Sequence, residues 1–153
     1  MVKNEIADLF RCDCPITSAI DVLGDRWMLV IVKQMLLQQK ETFKDFTDSD
    51  EGIASNILTS KLGKLTALDL ISKSQLPNDH KSVYYHLSDA GLSLAPVIVE
   101  LALWSDSHLR TEHPTMNRSE ELNAMKRDKQ KFVDSLVQNY RKRLMEFERS
   151  KSQ

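Results

Sequence analysis

The sequence predicts a mainly α-helical fold with one small β-hairpin, of the α+β class. Three observations support this prediction. Apolar residues recur at helical spacing through residues 16–37 and 54–68. Residues 71–87 contain two runs rich in β-forming residues around a turn sequence at 77–80. Helical spacing then resumes after Ser88. This order of elements is typical of a winged helix-turn-helix.

The first helices follow from their capping residues. A short helix is expected within residues 4–10, and a second helix begins at Pro15, where a missing N–H costs nothing. Gly24 ends that helix, and Asp25 is suited to cap the next one, which runs over about 26–37.

The middle of the chain predicts the helix-turn-helix and the wing. Phe43 and Phe46 belong to a short helix, and a turn separates it from a helix over 54–68. One face of that helix is apolar (Ile57, Leu58, Leu62, Leu65, Leu68) and the other is small and polar (Ser55, Asn56, Thr59, Ser60, Gly63). The hairpin over 71–87 forms the wing.

Ser88 is a good N-cap for a helix that extends to about Thr111, with a kink or local break expected at Pro96. Asn117 and Glu120 then predict the start of one long helix over 118–149. The narrow apolar stripe of this helix favours dimerisation. Folding back onto its own domain and a partly disordered basic arm are the alternatives.

Length and composition set limits on the class of protein. The 153 residues, 41% hydrophobic and 28% charged, suffice for one domain with a real core. The predicted organisation is an N-terminal segment (1–13), a winged-helix domain (14–113) and a helical extension (114–153). No apolar run is long enough to span a membrane and no signal peptide is recognisable, so a cytoplasmic protein without a membrane partner is expected.

The charge distribution weighs against nucleic-acid binding in the winged-helix part. The net charge is −1, and residues 1–116 hold eleven Lys and Arg against sixteen Asp and Glu. Residues 117–153 hold ten against six. Any positive surface on the predicted winged helix must therefore be local, because phosphate contacts depend on one face rather than on the total charge.

The stretch from Cys14 to Trp104 resembles the HxlR-type winged-helix transcriptional regulators of bacteria, which are MarR-like. The resemblance covers about 90 residues and is carried by several elements in the right order. They are Cys14-Pro15, Gly24-Asp25-Arg26-Trp27, Phe43 and Phe46, Gly52-Ile53, Leu58-Thr59, Leu62 and Leu65, Val83, Tyr85, Leu87-Ser88, Gly91, Leu94, Pro96 and Trp104.

This resemblance implies a homodimer formed by N- and C-terminal helices. It also implies that the helix over 54–68 is the recognition helix, one per chain in adjacent major grooves of double-stranded DNA. The wing over 71–87 would then lie on the DNA backbone, and the operator would have two half-sites. The candidate DNA-binding residues are Thr42, Lys44, Ser55, Asn56, Thr59, Ser60, Lys61, Lys64, Lys73, His80 and Lys81. Asparagine reads adenine bidentately, and the hydroxyls reach bases or phosphates. An ordinary amphipathic helix with a solvated face is the plainer interpretation.

Several positions depart from the family pattern. Ala54 removes a side-chain cap, and Asp69 occupies a left-handed position where glycine is usual. Thr42, Asn56, Gly63 and Ser82 stand where cations are common. Fewer phosphate-binding cations predict weak or salt-sensitive binding, unless the basic C-terminal helix compensates.

Cys14 has two interpretations. The resemblance implies a sensor of oxidants or electrophiles, and a position at a helix N-terminus lowers a thiol pKa. Cys12 is then a candidate resolving thiol, although a bridge over two residues is strained. The alternative is a small buried residue with a packing role.

Other classes of function receive little support from the sequence. No cofactor-binding motif, catalytic constellation or zinc spacing is present, so neither an enzyme nor a metal site is expected. The serious alternative is a winged-helix protein-interaction module with weak or no specific DNA binding. A small-molecule or oxidant inducer is a further expected partner.

Overall fold

The computed structural model describes residues 3–153 and has the predicted winged-helix architecture. Residues 1 and 2 of the predicted N-terminal segment lie outside the described residues. The elements in order are α1 (Lys3–Ala7), α2 (Pro15–Leu23), α3 (Met28–Gln38), α4 (Phe43–Thr47), α5 (Ser55–Ala67), β1 (Ile71–Leu76), β2 (Asp79–Leu87), α6 (Asp89–Leu92), α7 (Ala95–His108), α8 (Glu120–Arg127) and α9 (Lys129–Lys151). The mainly α-helical class with one antiparallel hairpin is therefore confirmed.

Helix α3 forms the centre of the core. Its buried side chains include Met28, Ile31, Val32 and Met35, which are fully enclosed. Helices α4 to α7, the segment before α5 and the inner face of the hairpin supply further buried groups. These are Phe46, Ile53, Leu58, Leu62, Leu65, Ile71, Leu87, Leu92, Ala95, Ile98 and Val99. Burying apolar area of this kind is the main stabilising contribution to folding.

Local polar groups end or begin the helices where the sequence predicts. The Asp25 carboxylate accepts the backbone N–H groups of Trp27 and Met28 at 2.7 and 3.0 Å. Ser88 accepts the N–H of Gly91 at the start of α6. Asp69 adopts a left-handed φ of 56°, as its place at a glycine position predicts. These contacts fix the connections on both sides of the wing.

Two long helices of the sequence prediction are interrupted in the structure. The expected break at Pro96 is confirmed, because α6 ends at Leu92 and α7 begins at Ala95. The single helix over 118–149 is wrong. The backbone is extended at Asp128, whose carboxylate accepts the N–H of Lys131 and so caps a new helix, α9. The first N-cap is Ser119 rather than Asn117, since Ser119 Oγ accepts the Leu122 N–H.

The extension over residues 114–153 lies against its own domain. Arg110 donates to the carbonyl oxygens of Met116 and Asn117 and pairs with Asp106 at 2.7 Å, which reverses the chain after α7. Helix α8 packs on α7, and α9 packs on α7 and α3. Met125, Val133 and Tyr140 join the core. The apolar stripe that favoured dimerisation therefore packs against the same chain, with Met125 and Tyr140 buried and its other members half-buried.

Candidate DNA interface

Helix α5, the predicted recognition helix, has the two faces that its sequence predicts. Its inner side chains Leu58, Leu62 and Leu65 are buried. The opposite side carries five exposed residues, Ser55, Asn56, Thr59, Ser60 and Gly63. Small polar side chains on an exposed helix face leave room for close approach to base edges.

The first turn of α5 has no side-chain cap. Ala54 occupies the cap position with an extended backbone and makes no capping hydrogen bond. Thr59 Oγ1 donates to the Ser55 carbonyl at 2.9 Å, which leaves the hydroxyl oxygen as an acceptor. The uncapped amides at a helix N-terminus suit a phosphate oxygen, so the missing cap favours anion binding here.

Lys61 is committed to a partner inside the protein. Its Nζ lies 2.8 Å from Asp25 Oδ2, which links α5 to the start of α3. Burial alone would raise the pKa of Asp25, but hydrogen bonds from Lys61, Trp27 and Met28 lower it below its usual value. Lys61 thus holds the recognition helix in place, and its predicted phosphate contact requires this pair to open. Lys64 is half-buried near the helix end.

The wing supplies two exposed lysines, Lys73 and Lys81, and an exposed histidine, His80. Lys73 on β1 lies opposite Tyr85 on β2, while His80 and Lys81 are exposed beside the turn. Asp79 Oδ1 accepts the N–H groups of Lys81 and Ser82 at 3.1 Å, and this fixes the turn.

A groove of about 510 Å³ separates α5 from the wing. Thr59 and Gly63 line it on the helix side, and Lys73 and Tyr85 line it on the wing side, with Phe43 at its base. Nothing lies within 4 Å of the position that a Gly63 Cβ would occupy. The structure therefore brings the recognition helix and Lys73 together around one open surface.

Two predicted contacts on α4 have different surroundings. The Thr42 hydroxyl accepts the N–H of Asp45, and Asp45 in turn accepts the N–H of Thr42, which forms a capping box. Thr42 also bridges to Tyr84 of the wing. Its side chain is therefore engaged in structure, whereas Lys44 is exposed.

Two helices, α2 and α7, each present exposed apolar side chains. On α2, Ile16 is 72% exposed and Ile20 is 54% exposed, and α2 buries no side chain. On α7, Val97, Leu101 and Trp104 follow helical spacing on one exposed face. Contiguous apolar patches of this kind mark association surfaces.

Cys14 lies at the N-cap of α2, next to the exposed apolar side chains of that helix. Hydrogen bonds from the Thr17 backbone and side chain, and from the Ile16 backbone, lower the pKa of the Cys14 thiol. Cys12 and Cys14 are both free and exposed. The buried packing role is therefore not seen in the isolated chain.

Another cleft, of about 680 Å³, lies between α3, α7 and α8. Leu29, Ile98, Leu122 and Met125 contribute to its apolar lining. Neither Trp27 nor Trp104 lines this cleft, and Trp104 is 57% exposed.

The sequence reasoning missed several contacts that position the interface. Asp25 was identified as a cap but not as the partner of Lys61, because residues 36 apart in sequence give no spacing signal. The contacts of Tyr140 and Phe147 with the wing were missed for the same reason.

Within residues 3–153 no group of three or more His, Cys, Asp or Glu side chains is placed to bind a metal ion. In the same residues no helix combines the length and apolar character needed to cross a membrane.

Comparison with known proteins agrees with the fold. A model of the HxlR-like helix-turn-helix family matches residues 22–113. The HTH-type transcriptional regulator YodB of Bacillus subtilis is 30% identical over 94 residues, 61% of this chain and 83% of YodB. The HTH-type transcriptional regulator MT3179 of Mycobacterium tuberculosis is 31% identical over 115 residues, 74% of this chain and 71% of MT3179.

Solved structures give the same result. The reduced form of YodB has a TM-score of 0.53 at 28% identity and covers 63% of this chain and 95% of its own. The redox regulator HypR in its reduced form has a TM-score of 0.57 at 22% identity, covering 66% and 99% respectively, and supports the fold.

Fold and relatives together define a winged-helix transcription regulator rather than an enzyme. The chain belongs to the HxlR-like helix-turn-helix family.

Proposed function

We propose that the protein regulates transcription as a homodimer that binds an operator with two half-sites in the cytoplasm. Helix α5 reads the major groove through Ser55, Asn56, Thr59 and Ser60, and the wing contacts the backbone. The observation that carries this proposal is the groove in which the exposed polar face of α5 meets Lys73. Lys44, Lys64, His80 and Lys81 are the other cations and donors assigned to phosphates.

The homodimer in this proposal forms through α2 and α7 rather than through the C-terminal extension. Both helices expose apolar side chains, whereas the stripe of α9 is covered by its own domain. Two half-sites require that this pairing present both copies of α5 on the same side of the dimer.

Fluorescence anisotropy with the protein's own promoter DNA tests the proposal. We expect saturable binding at low salt that weakens with added salt along a shallow slope, because few cations contact phosphates, and a loss of sequence preference in Asn56→Ala. Gln138→Ala, an exposed change on α9, serves as the control.

Absence of specific binding at low salt would favour the alternative, a winged-helix protein-interaction module. The acidic balance of residues 1–116 and the Lys61–Asp25 pair support that alternative.

We also propose that Cys14 responds to oxidants or electrophiles. Cys14 is exposed and its thiol pKa is lowered, so a reactive thiolate forms more readily. Because Cys14 is the N-cap residue of α2, a helix of the proposed dimer interface, its modification would alter the dimer. A mild disulfide-forming oxidant is expected to change the operator affinity of the wild type. Cys12→Ser keeps this response if Cys12 is not the resolving thiol and loses it if Cys12 is. Cys14→Ser is expected to be insensitive to the oxidant, and unchanged affinity of the oxidised wild type would contradict the sensor role.

A small apolar inducer is expected to occupy the cleft between α3, α7 and α8.

A further inference from the structure

We propose that helix α9 braces the wing, so that Tyr140 and Phe147 are positioning residues for DNA binding although they lie behind the wing. This inference rests on the proposed DNA binding and adds a role for the extension, which lies beyond the family match at residues 22–113. The brace consists of the aromatic contact of Phe147 with β2 and the hydrogen bond of Tyr140 to β2.

The two faces of the wing have different partners. In the hairpin register, Lys73 pairs with Tyr85 on the face that lines the groove beside α5. Ser72 pairs with His86 and Ser74 with Tyr84, and these residues point to the opposite face because side chains alternate along a strand. Helix α9 covers that opposite face.

Phe147 provides the apolar contact. Its ring centroid lies 4.3 Å from that of His86 and 5.1 Å from that of Tyr84. His86 is only 6% exposed as a result. Aromatic pairs at these distances are stabilising beyond the area they bury.

Tyr140 provides the polar contact. The backbone N–H of Leu87, at the end of β2, donates to Tyr140 Oη at 2.7 Å in a buried setting. Arg143 lies over the Tyr140 ring, 5.2 Å from its centroid. If the hydroxyl were removed, the Leu87 N–H would be buried without a partner, and this is costly.

The other end of α9 is fixed to the body of the domain. Lys129 pairs with Glu100 of α7 at 2.5 Å, and Val133 is buried in the core. A two-stranded hairpin is marginally stable alone and needs a packing layer. Because α9 joins the wing to α7 and α3, it holds the wing at one angle to α5.

The test measures wing dynamics without DNA and affinity with DNA. Phe147→Ala is expected to speed amide hydrogen exchange in β1 and β2 by about tenfold relative to the rest of the domain. Its operator affinity is expected to fall by a similar factor.

Tyr140→Phe, a milder change, is expected to speed amide hydrogen exchange selectively at Leu87. Val133→Ala removes a buried contact from the same helix about 21 Å from Phe147, at 1.5 Å per residue. It is expected to leave relative exchange in the wing unchanged.

Each outcome is decisive. Unchanged relative exchange of the hairpin in Phe147→Ala, or of Leu87 in Tyr140→Phe, would overturn the brace. Faster exchange with unchanged affinity would overturn the positioning role. If the wild type binds no operator, the proposed function fails, while the exchange measurements still decide whether α9 holds the wing.

Discussion

At the scale of single residues, two lysines with similar predictions have different surroundings. Lys61 and Lys73 were both expected to contact phosphates. Lys61 pairs with Asp25, whereas Lys73 is exposed and faces the groove beside α5. An ion pair that is partly shielded from solvent stabilises the fold, while a free cation near DNA releases counterions on binding.

This difference gives a paired prediction. Lys73→Met is expected to weaken operator binding evenly across sequences and to reduce the slope of log affinity against log salt by about one. Lys61→Met is expected to leave that slope nearly unchanged and to lower the free energy of unfolding by up to about 1 kcal/mol. Anisotropy titrations at several salt concentrations and urea denaturation check both. Equal salt slopes for the two variants would contradict the assignment.

Glycine at position 63 gives a second prediction at this scale. A Cβ there meets nothing within 4 Å, so Gly63→Ala is expected to raise the free energy of unfolding by about 0.5–1 kcal/mol through helix propensity. Gly91→Ala is the contrasting variant. Its Cβ would lie 2.2 Å from the Leu70 carbonyl oxygen, so this change is expected to lower the free energy of unfolding. Urea denaturation is expected to give changes of opposite sign.

At the scale of elements, the contact of α9 with the wing encloses a titratable group. Burial of His86 lowers its pKa below 6.5, and the surrounding charges are Glu148, which raises it, and Lys151 and Arg143, which lower it. Its Nε2 has no hydrogen-bond partner among the described residues. The neutral imidazole is therefore the form that fits beneath Phe147.

The sign of the pH dependence follows from this burial. Between the folded and unfolded pKa values the unfolded chain binds more protons, so stability falls as pH drops below about 6.5. We expect the free energy of unfolding to decrease from pH 7.5 to pH 5.5, with a smaller decrease in His86→Phe. Urea denaturation at several pH values measures this. The same decrease in both proteins would show that His86 is not its source.

The elements also show where prediction from sequence succeeds and where it fails. Strong local signals, such as the cap at Asp25 and the break at Pro96, were placed correctly because they act over a few residues. The break at Asp128 was missed because the apolar spacing continues through it. The polar face of α5 was predictable from periodicity, whereas the Lys61–Asp25 pair depends on tertiary packing that has no local signature.

At the scale of the whole molecule, two kinds of exposed apolar side chain must be distinguished. Trp104 is 57% exposed on α7, within a face that also presents Val97 and Leu101. Met145 is 58% exposed on α9, away from the buried stripe of that helix. A single exposed apolar residue is common, but a cluster of exposed apolar residues on one helix face indicates an interface.

The proposed dimer therefore predicts opposite outcomes for equal changes at these two residues. Trp104→Arg is expected to place a charge in the α2–α7 interface and to raise the dimer dissociation constant by at least about a hundredfold, since an uncompensated buried charge is costly. Met145→Arg adds the same charge at an equally exposed residue and is expected to remain dimeric. Sedimentation velocity over a range of concentrations separates the two. A monomeric wild type, or a Trp104→Arg protein that stays dimeric, would show that another surface joins the protomers.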